Sequence, residues 1–382
     1  IIIILRRKIF DQILSCNLNK VFIIFYFYLI LVCFLHPLKN HYFIESIIPS
    51  AFYFRYLFFL MAFNYIFINK KDFSSNLLKI LLAIVCLLSI DIIKEYFFGQ
   101  NLLGYKFNNV RIQSLFGDEW IVGSYINYIV PIIISLIFIN KKKKVFGKQF
   151  GDYSIFGILF LSVFLVTLSG ERSALFSLIL YSILIICILK FNYLKRIIFV
   201  SFLSIIFLSS IILFKPTYER VYKHTFNQLN IFSPNYKKDH QLLFETGIKI
   251  YQENKFFGTG LKGFRNECKK EVYYQKNGCS THPHNFYIQF LVELGLIGFL
   301  FLSLIFFIML LIIFFKKQNF YLFNLRNQIF NNENYSIMIG LFVFIFPFKT
   351  HGSFFNNWLS ICFYLQLSLF LSTYYMTYES EK

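Results

Sequence analysis

Apolar residues fall in long blocks broken by short charged clusters, and the block length is the first informative quantity. A bilayer hydrocarbon core of about 30 Å needs roughly 20 helical residues. Charge-free runs near that length occupy 21–38, 120–140, 153–170, 173–189, 197–214, 294–315 and 350–378. Three further blocks carry charge only near their ends: 50–69 with Arg55, 73–93 with Lys79 and Asp91, and 334–348 between Glu333 and Lys349. The pattern predicts an all-α polytopic membrane protein of about ten transmembrane helices. One hydrophilic stretch, 215–285, interrupts it. The expected organisation is therefore 1–214 with helices 1 to 7, 215–285 as a large loop, and 286–382 with helices 8 to 10.

Composition sharpens this. Of 382 residues, 57% are hydrophobic, 54 are Phe, 26 are Tyr and 15% are charged, and the mean hydropathy is +0.59. Soluble domains carry about 25% charged residues. A set of soluble domains, a disordered chain, collagen, a coiled coil and a disulfide-rich secreted module are all excluded. A formal charge of +19 would suggest nucleic acid in a soluble protein; in a membrane protein it first reports sidedness. With the N-terminus inside, cytoplasmic segments hold 19 of the 38 basic residues, short outer segments hold seven, and 215–285 holds twelve. That asymmetry follows the positive-inside rule and predicts both termini in the cytoplasm, with 215–285 outside; a loop this long crosses regardless of its charge. The chain opens Ile1 to Leu5 before Arg6, apolar ahead of basic and without a small-residue cleavage site, which does not suit a signal peptide. Those five residues read as the inner end of a helix, and the sequence is expected to be truncated at its N-terminus.

Chemistry is expected where polar groups collect without a solubility reason, which is the outer face. Cys16, Cys33, Cys86, Cys187 and Cys362 fall in membrane or cytoplasmic segments. Cys268 and Cys279 are the pair in the outer loop, and an oxidising compartment permits their disulfide; as zinc ligands they would lack CxxC spacing. Residues 240–254 place Phe244, Ile248 and Tyr251 at helical spacing, an apolar face for a membrane surface or the helix bundle. Gly258-Thr259-Gly260-Leu261-Lys262-Gly263 is formally GxGxxG. A dinucleotide site would need a preceding strand and a following helix, whereas here a helix precedes, so the glycines suit a tight loop presenting Lys262 and Arg265.

The stretch Thr281-His282-Pro283-His284-Asn285 runs into the long helix that follows. A histidine there, with an ordinary pKa near 6.5, can give or take a proton. The plainer alternative is a helix cap by Asn285 with solvated histidines, and a His-x-His metal pair would lack a third ligand. Arg172, in the turn Ser169-Gly170-Glu171-Arg172, and Arg111 are either snorkelling anchors or guanidinium groups for an anionic head group. Glu293, a turn into its helix, would face the bundle interior and pair.

In order and spacing these segments resemble the O-antigen ligase and O-antigen polymerase superfamily of membrane glycosyltransferases. The ligase signature is His, then Asn, Ser or Gln, nine residues, and Gly-x-x-Gly; here it reads His284-Asn285, nine residues, Gly295-Leu296-Ile297-Gly298. The segments at 258–265, 169–174 and 111–123 are similar to that family's other recurring segments. The likeness covers about 105–310, with the ligase-related region at about 155–310. Ligases of this family have about twelve helices with nine before the large loop, against seven here; a missing N-terminal pair is one account, divergence another.

The resemblance implies a GT-C-like membrane enzyme in the bacterial inner membrane with a periplasmic active site. It would move a glycan from undecaprenyl diphosphate to an acceptor hydroxyl, lipid A core in a ligase or another carrier-linked repeat in a polymerase, with no metal, nucleotide or other cofactor. The implied catalytic residues are His284 as base and Arg172 and Arg265 for the diphosphate. Arg111, His282, Asn285, His240 and Lys262 would contact substrate. The complete His-Asn-x9-Gly-x-x-Gly favours the ligase. A transporter for the same lipid would be expected to show broken-helix repeats, which the sequence lacks.

Overall fold

The computed structural model describes residues 17–35, 43–108, 110–142, 152–189, 191, 193–213, 218–219, 239–315 and 331–380. Ile1 to Leu5, Cys16 and most of 215–238 lie outside the described residues. In chain order the helices are α1 (Asn17–Leu35), α2 (Phe43–Phe52), α3 (Phe54–Asn69), α4 (Phe73–Phe98), α5 (Val122–Lys142), α6 (Asp152–Ser169) and α7 (Arg172–Ile188). They continue as α8 (Tyr193–Leu213), α9 (Asp239–Glu253), α10 (Phe264–Glu267), α11 (Phe286–Phe315), α12 (Asn332–Phe344) and α13 (Asn357–Ser380). No strand occurs among the described residues; Gln100 and Lys106 form an isolated bridge.

A helix lies in each of the ten segments expected as spans. Among the described residues, four stretches are long and apolar enough to cross a membrane: Phe43–Asn69, Phe73–Phe98, Val122–Lys141 and Phe286–Phe314. Lys20–Leu35, Tyr153–Ser169 and Arg172–Ile188 are shorter apolar helices. Boundaries differ from expectation where polar groups intervene. α4 runs to Phe98, past the expected 93, because Asp91 and Glu95 are buried acceptors rather than end charges. α12 stops at Phe344 and α13 starts only at Asn357, leaving 345–356 non-helical.

The chain divides into two compact units, 1–69 with 235–329 and 345–382, and 70–234 with 330–344. In the second unit α5 is central, packed against α4, α6, α7 and α12. Every residue from Ile126 to Asn140 is buried, as expected for a helix that is apolar all round. Small polar contacts fix its neighbours: Ser135 Oγ donates to the Glu333 carbonyl at 3.0 Å, and the Tyr181 and Ser336 hydroxyls meet at 2.9 Å.

The first unit is aromatic-rich. Phe25 stacks on Phe301 at 4.4 Å, Tyr56 on Tyr364 at 5.3 Å, and Phe290 on Phe355 at 5.5 Å, which gives part of the large Phe and Tyr content a packing role. α9 lies along α11 through Leu243, Thr246, Gly247 and Ile250, all buried. The expected face of Phe244, Ile248 and Tyr251 contributes only in part: Phe244 packs against this cluster, whereas Ile248 is 45% exposed. Gly247 decides the choice, since a Cβ there would come within 2.7 Å of Ile288 Cγ2, so its missing side chain lets the helices approach.

Candidate active site

In the first unit, Asn285 caps α11: its Oδ1 accepts from the amides of Tyr287 at 2.9 Å and Ile288 at 3.2 Å. Its Nδ2 donates to the Pro347 carbonyl at 2.8 Å. Asn285 is therefore a cap, and the histidines before it are held by other contacts. His284 has φ 56°, a left-handed conformation costly for a side-chain-bearing residue. Three imidazoles gather here: His282 lies 4.1 Å from His284, and His240 of α9 lies 5.3 Å from it, ring centre to ring centre. His282 Nε2 is 3.3 Å from the His351 carbonyl, which only accepts, so Nε2 carries the hydrogen and Nδ1 accepts from the Thr281 hydroxyl at 2.9 Å. Burial, then His284, pushes His282 down to about 4. Burial, then His240, lowers His284 from its ordinary value. Both rings are neutral at neutral pH, which is the form a general base requires.

The two glycine motifs meet in space. Gly295 has φ 68° and ψ −166°, a region essentially reserved for glycine, and it breaks α11 just after Glu293. The carbonyls freed by the break need new donors, and the 255–260 loop supplies them. Thr259 N donates to the Val292 carbonyl and Gly260 N to that of Glu293, each at 2.9 Å, while Leu296 N donates to the Lys255 carbonyl at 2.8 Å. The approach is too close for side chains: a Cβ on Gly258 would lie 2.5 Å from Gly295 N, and one on Gly295 2.2 Å from the Phe256 carbonyl oxygen. The GxGxxG segment is thus a plug for a broken helix.

That docking carries Lys262 and Arg265 to one place. Both line a cavity of about 470 Å³ whose other walls are Glu45, Ile44, Ile48 and Pro49 of α2. Lys262 is lowered by burial, then by Arg265, and Arg55 of α3 adds to the effect. Arg55 is held by the Asn357 side-chain oxygen and by the Tyr56 hydroxyl at 3.0 Å. Arg265 is also close enough to bear on His282 and Glu293. Glu293 is fully buried and accepts from Gln289 Nε2 at 3.0 Å. Cys268 and Cys279 are joined in a disulfide beneath this loop, with Cys268 packed against Phe264, Tyr273 and Val292. Cations facing a partly apolar cavity form a receptor for an amphiphilic anion.

In the second unit, Arg111 and Arg172 are near enough to repel one another, and Arg111 lies over Trp120 at 5.7 Å. Their backbones are fixed by the turn between α6 and α7: Ile112 N donates to the Ser169 carbonyl at 3.2 Å. Glu171 caps α5, accepting from Gly123 N at 2.6 Å, Ser124 N at 3.1 Å and Ser124 Oγ at 2.6 Å. Burial pushes Glu171 up to about 7 against these bonds and the Arg111 charge. The segment on both sides of Arg111 hangs on α4, where Asp91 and Glu95 accept from Leu102 N, Gln113 N and the amide and hydroxyl of Ser114.

Residues 157–303 match the family model described as O-antigen ligase. This stretch is similar to O-antigen ligases. No curated protein matches the chain. The O-antigen ligase match runs from α6 into α11 and includes Arg172, His240, Lys262, Arg265, His282, His284, Asn285 and the Gly295/Gly298 pair; Arg111 precedes it. It supports a likeness to the ligase and polymerase superfamily, and helices long and apolar enough to cross a membrane accord with it. Sequence reasoning did not find Glu45, Arg55, Gln289 or His351. Among the described residues no group of three or more His, Cys, Asp and Glu has metal-binding geometry.

Proposed function

We propose that the protein is a polyprenyl-diphosphate-dependent glycan transferase of the ligase type. On this reading it spans the bacterial inner membrane about ten times with both termini in the cytoplasm, 1–214 and 286–382 embedded and 215–285 periplasmic. The observation that carries it is the juxtaposition of Lys262 and Arg265 on an amphiphilic cavity with neutral histidines on which Arg265 acts. Undecaprenyl diphosphate offers a diphosphate for the cations and an isoprenoid for Ile44, Ile48 and Pro49. His284 accepts the proton of the acceptor hydroxyl as its oxygen attacks the anomeric carbon. The bond from that carbon to the phosphate oxygen breaks, and the pair stays on the departing diphosphate, whose growing charge Arg265 and Lys262 stabilise. A single displacement inverts the anomeric centre. Arg172 takes the diphosphate-stabilising role that the family pattern assigns it; Arg111, His282, His240 and Asn285 are substrate-contacting or supporting residues.

The test is a deletion strain complemented with variants. His284→Ala and Arg172→Lys should abolish surface glycan while the protein stays in the membrane, and Arg265→Gln should cost about 100- to 1,000-fold in rate. Normal glycan with His284→Ala overturns the reading. Full-length polymer accumulating on the carrier in the deletion strain supports the ligase, whose His-Asn-x9-Gly-x-x-Gly spacing is complete. Single repeats on lipid A would instead make it the polymerase.

A further inference from the structure

The non-helical segment 345–356 lies outside the O-antigen ligase match, yet it is fastened to the histidine segment along its length. His351 N donates to the His284 carbonyl at 2.9 Å, and the His351 carbonyl accepts from His282 Nε2 at 3.3 Å. The Pro347 carbonyl accepts from Asn285 Nδ2 at 2.8 Å, and that of Ile345 from the Tyr287 hydroxyl at 2.9 Å. Gln289 closes the far end: its Nε2 donates to Ser353 Oγ at 2.9 Å, and its Oε1 accepts from Phe354 N at 2.9 Å. The His351 ring is buried and stacked on Phe286, centres 3.9 Å apart and 24° from parallel. One residue thus grips the backbone of His284 and the side chain of His282, and its own ring is locked against the first residue of α11.

We propose that His351 is a positioning residue that holds His284 in its left-handed backbone conformation and fixes the hydrogen of His282 on Nε2. The inference rests on the transferase reading, in which His284 is the base. Left to itself His284 would relax from φ 56° toward an ordinary region, swinging its ring away from His240 and His282. The groups facing His284 are His240 of α9, His282 of its own segment and the His351 carbonyl, with Arg265 acting through His282. Loosening 345–356 admits water, which raises the pKa of His284, and withdraws the His351 carbonyl, which lowers it; burial is the larger influence, so the net shift is upward.

The experiment uses the full chain in lipid nanodiscs with ring-labelled histidines, the His284 signal assigned by its loss in His284→Gln. Titration by NMR is combined with transfer rates on carrier-linked glycan. His351→Ala should raise the pKa of His284 and lower kcat about 100-fold with the KM for donor unchanged, and His351→Phe, which keeps the stacked ring, should restore both. Phe286→Leu removes the stacking from the other side and should reproduce His351→Ala, which keeps the test open if the alanine variant does not fold. Wild-type titration and kcat in a folded His351→Ala protein overturn the proposal. If the wild-type protein transfers no glycan while the titration moves as expected, the transferase reading falls and the positioning role stands.

Discussion

His284 is held unprotonated by two separable influences, burial and the neighbouring His240, and this gives the pH dependence a sign. Its protonated form is the cation, which a nearby charged imidazole disfavours, so removing His240 raises the pKa. The active form is neutral; rate is lost as pH falls through the pKa, and the acid limb of kcat/KM should lie below 6.5. His240→Ala should move that limb to higher pH, measured as a pH–rate profile. An unmoved limb would mean that another group is titrating. The histidines and Arg265 were legible in the sequence because residue types and spacing mark them within one stretch, 240 to 284. Glu45 and Arg55 were not, because their relation to the loop is made across the fold: Glu45 accepts from Asn266, 221 residues away. His351 was hidden in the same way, its partners His282 and His284 lying almost seventy residues earlier.

At the scale of elements, the paired breaks decide what the chain tolerates. Gly295→Ala places a methyl where the Phe256 carbonyl stands, in a backbone region alanine avoids, so the 255–260 loop must leave the break. Gly157→Ala is the matched control: Gly157 is also helical, with nothing within 4 Å of a new Cβ, and alanine there should be neutral or stabilise by up to about 1 kcal/mol. Transfer should be lost in the first variant and retained in the second, with limited proteolysis near Lys255 faster only in the first. Equal proteolysis would show that the loop does not depend on the break. The motif's existence was plain in the sequence, but its job was not: spacing says nothing of which glycine faces which. The docking face of α9 escaped for a related reason. Leu243 and Ile250 are as apolar as Phe244 and Ile248, and only the close contact at Gly247 breaks the tie.

For the whole molecule, the alternation of apolar blocks is legible because lipid imposes it on every span, and helices occupy every block it marked. The charge asymmetry makes orientation testable. A cysteine in place of Lys269, exposed in the loop, should react with an impermeant maleimide in intact spheroplasts; one in place of Lys71, exposed between α3 and α4, should react only after the membrane is opened. Labelling of both from outside would overturn the orientation. The division into units, in contrast, could not be read from the blocks, since the first unit gathers three segments distant in the chain.

The stitched break in α11 also bears on biogenesis. The ribosome delivers residues 255–260 before 286–315, so the amides of Thr259 and Gly260 already exist when the carbonyls of Val292 and Glu293 reach the translocon. A helix carrying unsatisfied carbonyls would otherwise enter lipid at a cost of several kcal/mol. The order of synthesis therefore lets the loop act as a chaperone in cis, and a chain permuted to present α11 first would have to insert its broken helix before the partner of the break had been made.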